Sequence, residues 1–207
     1  MVRVPGAVAF CGALLLASAS MPIAQAAVLA QAGTVEIVFT PDDAVDRRII
    51  ALIDAAKDEV HVLAYSFTHR GIARALLDAR ARGVKVEIVA DRAQSLELPQ
   101  SAVPDLKRRG VAIWLDTAPG TAHNKVVIID PRSGNATTVT GSFNFTRAAQ
   151  TSNAENVVIF HRNRDVARIY ERYYERRRAA SRRWGGTAAP RASSRGGAPP
   201  YVERRVP

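Results

Sequence analysis

The chain has 207 residues, of which 47% are apolar and 6% aromatic, and a formal charge of +10 from 29 Lys and Arg against 19 Asp and Glu. This apolar content is too high for a disordered chain. The single cysteine, Cys11, excludes a disulfide framework and a zinc site built on thiolates. The length predicts one domain with terminal segments. The excess of positive charge indicates a polyanionic partner, either nucleic acid or an anionic membrane surface.

Both ends of the chain differ in composition from its middle. Residues 1–26 combine a basic start, an apolar run over 7–17 and the small-residue sequence Ala-Gln-Ala at 24–26, which together predict a cleaved signal peptide. Residues 181–207 are rich in Arg, Gly, Pro, Ala and Ser, which predicts a disordered basic tail. We therefore expect an exported protein, periplasmic or secreted, with one folded domain over 27–180.

The charge is distributed unevenly along the sequence. Residues 27–175 carry 19 basic and 18 acidic groups, whereas residues 176–207 carry nine Arg and one Glu. Almost the whole excess therefore lies at the C-terminal end, where it predicts contact between the basic tail and polyanions.

Short β-branched runs alternate with longer helical periods between the two ends. Helices are predicted at 44–57, 71–82, 104–109 and 163–178, the first with Asp42 or Asp43 as its N-cap. Strands are predicted at 35–39, 60–65, 84–90, 111–115, 125–129, 137–141 and 156–160. The turn residues at 130–135 predict an antiparallel hairpin. This order favours the α/β class, with a mixed, largely parallel β-sheet flanked by helices.

Four polar residues stand out against these apolar runs. His123 and Lys125 are two residues apart at the start of a predicted strand, so they project from one face. Ser142 and Asn144 have the same spacing at the end of the strand that folds back beside it. An imidazole next to an ammonium suits attack on a phosphodiester, because one supplies a nucleophile or acid and the other neutralises the nonbridging oxygens.

The sequence resembles the phospholipase D superfamily in this region. The spacing His-x-Lys-x4-Asp, ending at Asp130, followed by Gly141-Ser-x-Asn, is similar to the HKD signature of that superfamily. The continuation through 153–158 resembles its small bacterial endonuclease branch, which carries one motif per chain. Ten residues separate Asp130 from Gly141, where the family usually has six, which indicates a four-residue insertion at the hairpin tip.

The resemblance implies a phospholipase D/nuclease-like α-β-α sandwich and a chemistry that needs no metal and no cofactor. His123 would attack phosphorus to form a phosphohistidine, while Lys125 and Asn144 hold the phosphate oxygens with help from Ser142. Glu155 would accept a hydrogen bond from His123 and fix its tautomer. Asp130 and Gly141 belong to the motif, and Asp130 is expected to have a structural role because it lies five positions along the strand from Lys125.

This mechanism requires a second histidine as the acid. The family implies a homodimer with the active site shared on its twofold axis, so that two copies of His123 face each other. His61, His69 and His161 are the alternatives within one chain, and His69 is also a candidate substrate contact.

Three functions fit these residues. The first is a nonspecific endonuclease on DNA or RNA, and the second is a phospholipase D that cleaves phospholipid headgroups, with Trp184 as a possible interfacial anchor for the tail. The third is an inactive module that binds polyanions. The intact set of His123, Lys125, Asn144 and Glu155 favours an enzyme.

Overall fold

The structure is a computed structural model that describes residue 29 and residues 32–118 and 120–185. The predicted signal peptide at 1–26 and residues 186–207 lie outside the described residues.

Eight strands form one sheet, and the seven predicted strands are all among them. Their order across the sheet is β1-β7-β6-β5-β2-β3-β4-β8. Their bounds are β1 Thr34–Thr40, β2 Glu59–Ala64, β3 Lys85–Asp91, β4 Ala112–Asp116, β5 Lys125–Ile129, β6 Thr137–Gly141, β7 Glu155–His161 and β8 Arg182–Arg183.

In the described residues, six helices accompany the sheet, and four of them were predicted. The two short helices α3 and α5 were not, because five residues are too few to show a helical period. The bounds are α1 Val45–Ala55, α2 Arg70–Ala81, α3 Arg92–Leu96, α4 Val103–Arg108, α5 Arg147–Thr151 and α6 Arg164–Ala180.

The sheet is mixed and flanked by helices, as predicted, but it is not largely parallel. Only β2 with β3 and β3 with β4 pair in parallel, and the other five pairings are antiparallel. The helices α2 and α4 make the crossovers between the parallel strands. From β5 onward, short connections return the chain beside itself, which produces antiparallel pairs.

Two helical layers cover the two faces of the sheet. Val60 and Val62 of β2 face the larger core with α1 and α2, whereas Leu63 faces the smaller core with Ala167 and Tyr174 of α6. Strands β2 and β5 are buried along their whole length, because helices pack on both sides.

The predicted N-cap of α1 is wrong. The helix is capped by Ala44 with no side-chain hydrogen bond. The carboxylate of Asp43 instead accepts a hydrogen bond from the backbone N–H of Phe39, 2.9 Å away, at the end of β1. The acidic residues before α1 thus stabilise the turn that leaves the strand.

The body of the fold extends beyond residue 180, so the predicted tail begins too early. Strand β8 pairs with the outer edge of β4, and the N–H of Trp184 donates to the carbonyl of Ile113 at 2.9 Å. The Trp184 side chain packs against the larger core, so it is not available as the interfacial anchor that the sequence suggested. Without β8, the outer edge of β4 would leave backbone N–H and C=O groups unpaired, and pairing with β8 satisfies some of them.

Part of the basic charge at the C-terminal end lies within the described helix and strand. Of the nine arginines in 176–207, three lie in α6 and two in β8, which leaves four Arg and one Glu in residues 186–207. In the described part of the chain, no helix is both long and apolar enough to cross a membrane.

Candidate active site

Polar residues collect at one edge of the sheet, here called the site edge. Strands β2, β3, β4 and β6 end there, and β5 and β7 begin there. In open α/β sheets, the carboxyl ends of parallel strands are the usual place for a ligand. The site edge brings together His123, Lys125, Ser142, Asn144 and Glu155.

His123 and Lys125 meet on the ring of Tyr65. The exposed His123 ring lies 4.5 Å from the Tyr65 ring, centroid to centroid, and Lys125 Nζ lies 4.9 Å from the Tyr65 centroid. The N–H of Tyr65 donates to the carbonyl of Asn124 at 2.8 Å, which fixes the ring under the His-x-Lys segment. Tyr65 is thus a positioning residue that spacing alone does not reveal.

Lys125 is a buried ammonium at the first position of β5. Only 6% of the residue is exposed, and burial lowers the pKa of the amine, while the nearby charge of Glu155 partly opposes that shift. Nζ donates one hydrogen bond to the carbonyl of His123 at 3.0 Å. An ammonium has three donors, so further N–H groups are available for phosphate oxygens.

The Gly-Ser-Phe-Asn-Phe segment holds its polar residues by burying its aromatic ones. Phe143 and Phe145 are each 2% exposed, and the Phe145 ring lies 5.4 Å from that of Phe67. Among the residues that the structure describes, none donates a hydrogen bond to the buried Asn144 Oδ1. Oδ1 can only accept a hydrogen bond, so any contact of Asn144 with a phosphate oxygen must come from its Nδ2 group.

Gly141 allows this segment to pass close to β7. A Cβ added at Gly141 would lie 2.1 Å from the carbonyl oxygen of Asn156, and its φ of +150° is one that other residues rarely adopt. The position therefore requires glycine.

Glu155 has different partners from those that the sequence predicts. Its carboxylate accepts hydrogen bonds from Ser142 Oγ at 2.5 Å and from Asn153 Nδ2 at 2.8 Å, and no hydrogen bond joins it to His123. The Ser142 proton is therefore held by Glu155 and is not directed at phosphate. The reason is register, since β6 ends with Gly141 opposite Val157, and Ser142 then lies opposite Asn156, one residue from Glu155.

A second acidic residue, not predicted from sequence, supports the approach to His123. Asp91 ends β3, and its carboxylate accepts one hydrogen bond from Gln94 N–H at 2.9 Å and another from Ala122 N–H at 3.0 Å. The signal in the sequence is an acidic residue at the end of a buried strand. Its effect is to hold the backbone immediately before His123.

Asp130 lies at the opposite end of β5. Its carboxylate accepts three backbone hydrogen bonds, from Lys57, Asp58 and Glu59, at 2.8–2.9 Å. Its φ of +46° is tolerated better by aspartate than by most residues. Asp130 therefore lies away from the site edge and holds the backbone that leads into β2.

The other histidines are all engaged elsewhere in the fold. His61 is buried under α6, where its ring stacks on Tyr174 at 4.6 Å, and burial lowers its pKa to about 4. His69 caps α2 through Nδ1, with Nε2 3.2 Å from Asp46. His161 Nε2 lies 3.0 Å from Glu36, at the end of β7 away from Glu155. His61 and His161 therefore lie away from His123, whereas the N–H of His69 donates to the carbonyl of Phe145, next to Asn144, at 2.8 Å, and the His69 ring contacts Asp46.

The site edge can therefore bind and attack a phosphate ester. It supplies one exposed imidazole, one buried ammonium and one amide. Within the described ranges, no group of three or more His, Cys, Asp and Glu side chains is arranged to hold a metal ion.

Comparison with known proteins identifies the family. Residues 49–178 match the family model described as "Cardiolipin synthase, PLD-like domain". A phospholipase D of Rickettsia felis is 39% identical over 147 residues, which are 71% of this chain and 70% of that protein. A mitochondrial cardiolipin hydrolase of Xenopus laevis is 30% identical over 135 residues, which are 65% of this chain and 61% of that protein.

A solved structure shows the same fold. The phospholipase D family member Nuc from Salmonella typhimurium superposes with a TM-score of 0.67 and 30% identity, covering 73% of this chain and 97% of that one. Fold, site and similarity together define a phosphodiesterase of the hydrolase class. The chain belongs to the phospholipase D superfamily.

Proposed function

We propose that this protein is an exported, homodimeric endonuclease that cleaves DNA or RNA through a phosphohistidine. The observation that carries the proposal is the placement of His123 and Lys125 together on the Tyr65 ring at the site edge.

The reaction has two steps. In the first, an imidazole nitrogen of His123 forms a bond to phosphorus while the ester P–O bond breaks, and a protonated second histidine gives its proton to the leaving oxygen. In the second, water attacks the phosphohistidine, its proton passes to that second histidine, and the P–N bond breaks. Each histidine returns to its starting state.

Lys125 and Asn144 stabilise the charge that develops on the nonbridging oxygens. The Lys125 ammonium is buried, so its attraction for an anion is less screened than that of a surface lysine. Burial lowers the pKa of Lys125, the charge of Glu155 opposes that shift, and Glu155 is itself oriented by Ser142 and Asn153.

A second copy of the chain is the proposed source of the second histidine. The edge strand β1 supports this, because Val35, Ile37 and Phe39 are 40–59% exposed on the side away from the larger core. An apolar row of this kind favours an interface. It is adjacent to the site, since Phe39 pairs with Asn156 and Thr40 with Glu155.

The dimer is tested with the double variant Ile37→Lys/Phe39→Lys. Sedimentation should show a monomer that keeps its helical spectrum and loses activity together with dimerisation. The double variant Ile37→Thr/Phe39→Thr, which adds no charge, is the matched control and should retain more dimer. An active monomer would contradict the shared site.

The choice of nucleic acid as substrate rests on two supports. The similar structure named above is that of Nuc, and the described part of the chain places exposed arginines along one helix, where they can meet a phosphate backbone. A second candidate is cleavage of a phospholipid headgroup, which is favoured by the names of the Rickettsia and Xenopus relatives.

One assay in EDTA distinguishes the two. Mature protein is incubated with plasmid DNA, with RNA and with vesicles of phosphatidylglycerol or cardiolipin, and strand breaks and released headgroups are measured. We expect cleavage of nucleic acid, and none with His123→Gln, which controls for contaminating nucleases. Headgroup release alone would support the phospholipase, and activity on neither substrate would contradict both. Export is tested by fractionation, with residues 1–26 deleted as the control.

A further inference from the structure

A row of four arginines runs along the outer side of α6. Arg164, Arg168, Arg172 and Arg176, here called the arginine row, are each four positions apart and all exposed. An α-helix rises about 1.5 Å per residue, so four positions are about 6 Å and the row is about 18 Å long. The function proposed above uses these arginines only as support for nucleic acid as the substrate and gives them no defined role.

The arginine row differs from the other arginines of the same helix. Arg177 pairs with Asp116 at 2.6 Å and Arg178 with Glu175 at 2.7 Å. In the part of the chain that the structure describes, no carboxylate lies within ion-pair distance of Arg164, Arg168 or Arg172. The row therefore presents positive charge that the fold leaves unneutralised.

This arrangement costs helix stability. Like charges four positions apart destabilise a helix by about 0.2–0.5 kcal/mol per pair, and the row contains three such pairs. Arg176 also contacts the Tyr173 ring, 5.5 Å from its centroid, whereas a ligand of opposite charge would offset the repulsion along the row.

The N-terminal part of the arginine row lines a cavity. Arg132, from the β5–β6 hairpin, joins Arg164, Arg168 and Arg172 around a cavity of about 370 Å³ whose remaining lining residue is Glu171. Glu171 is occupied, because its carboxylate accepts a hydrogen bond from Arg132 at 2.7 Å. The inserted hairpin residues thus bring a further arginine to the end of the row that lies away from the site edge.

We propose that the arginine row binds the phosphate backbone of a nucleic acid outside the reacting site. A duplex carries one charge per about 1.7 Å of axis over both strands, so 18 Å of it carries about ten charges, of which those on the near side can face the row. From its cavity, α6 runs toward the site edge, where Arg177 meets Asp116 at the end of β4. A long substrate held there stays beside the catalytic residues after each cut.

The row favours nucleic acid over a membrane. A helix that lies in a membrane surface buries an apolar face in the lipid. In α6, Ala167 and Tyr174 face the sheet, and none of the exposed large apolar residues of the described chain lies on this helix.

The inference rests on the proposed nuclease function, so binding and cleavage are measured separately. All proteins carry His123→Gln, so that they bind without cleaving. The affinity for a labelled 30-bp duplex is measured between 50 and 300 mM NaCl for this parent and for the row variant Arg164→Gln/Arg168→Gln/Arg172→Gln. Each lost phosphate contact should reduce the salt slope by about 0.9, so we expect a reduction of about 2–3 and roughly 10- to 100-fold weaker binding at 100 mM. The matched control is Arg74→Gln/Arg108→Gln/Arg109→Gln, which removes the same charge from α2 and its neighbourhood and should bind as the parent does.

Cleavage is then measured with His123 intact. The row variant should hydrolyse bis(4-nitrophenyl) phosphate, which is too small to reach α6, at an unchanged rate, while its KM for long DNA rises. Equal binding by row variant and parent would overturn the proposal, as would an equal loss in the control.

Binding to vesicles with 30% phosphatidylglycerol is measured for the same proteins. Loss of vesicle binding with DNA binding intact would overturn the proposal in favour of a membrane. No cleavage of DNA by the wild type would contradict the nuclease function but leave the binding result standing.

Discussion

The two ends of β5 carry one sequence motif but have opposite characters. At the site edge, His123 is exposed and the nearby Asn144 amide oxygen has no donor among the described residues. At the far end, Asp130 is 5% exposed and its carboxylate accepts three backbone hydrogen bonds. The first end keeps its polar groups available for a ligand, and the second has satisfied its own. The HKD motif of this chain therefore has two halves: His123 and Lys125 are placed for the reaction, and Asp130 stabilises the fold.

The largest expected effect separates these two halves. Asp130→Asn should lower the free energy of unfolding by about 1–3 kcal/mol, because its amide NH2 would face backbone N–H groups that now donate to a carboxylate oxygen. The activity of the folded fraction should stay close to wild type. His123→Gln should do the reverse, with unchanged stability and at least a roughly 1000-fold loss of turnover.

Urea denaturation and initial rates at low urea measure both quantities. The comparison fails if Asp130→Asn is stable but inactive, since Asp130 would then act in the reaction. It also fails if His123→Gln unfolds, since His123 would then be required for the stability of the fold.

Much of this division follows from sequence. The β-branched runs predict the strands because their side chains are buried on both faces, and the spacing of His123 and Lys125 places the two together. The partners across the sheet do not follow, because periodicity does not encode which strand lies beside which. This is why the antiparallel pairing of β5 with β2 and the contact of Tyr65 with His123 were missed. The hydrogen bond from Ser142 to Glu155 depends on the β6–β7 register in the same way.

A second histidine sharpens the contrast between a histidine for chemistry and one for packing. His61 pairs with Ile128 of β5 and stacks on Tyr174, and burial lowers its pKa from 6.5 to about 4. Between these two pH values the unfolded chain binds a proton that the folded chain does not, so stability falls as the pH falls from about 6.5 to about 4. The full difference corresponds to about 3 kcal/mol.

His61→Phe should remove this contribution, because it keeps an aromatic ring on Tyr174 and has no titrating group. The measurement is the free energy of unfolding of both proteins at several pH values from 7.5 to 4. The wild type should lose more stability than the variant over that interval, because Glu59 and Glu87, the carboxylates near His61, are present in both proteins. Parallel curves would show that His61 does not control this part of the acid response.

The smallest expected effect tests how the site edge holds Glu155. Ser142→Ala removes the 2.5 Å hydrogen bond to its carboxylate and the bond that Oγ accepts from Asn156 N–H at 3.1 Å, but it leaves the bond from Asn153. A hydrogen bond to a charged group contributes about 1.5–3 kcal/mol, so we expect the free energy of unfolding to fall by about that much and kcat/KM to fall about tenfold. Ser133→Ala makes the same change at the far end of β5, in the hairpin after Asp130, and should leave activity intact. If Ser142→Ala is as inactive as His123→Gln, the hydroxyl contacts phosphate directly, and the site edge has one more ligand group than its hydrogen bonds indicate.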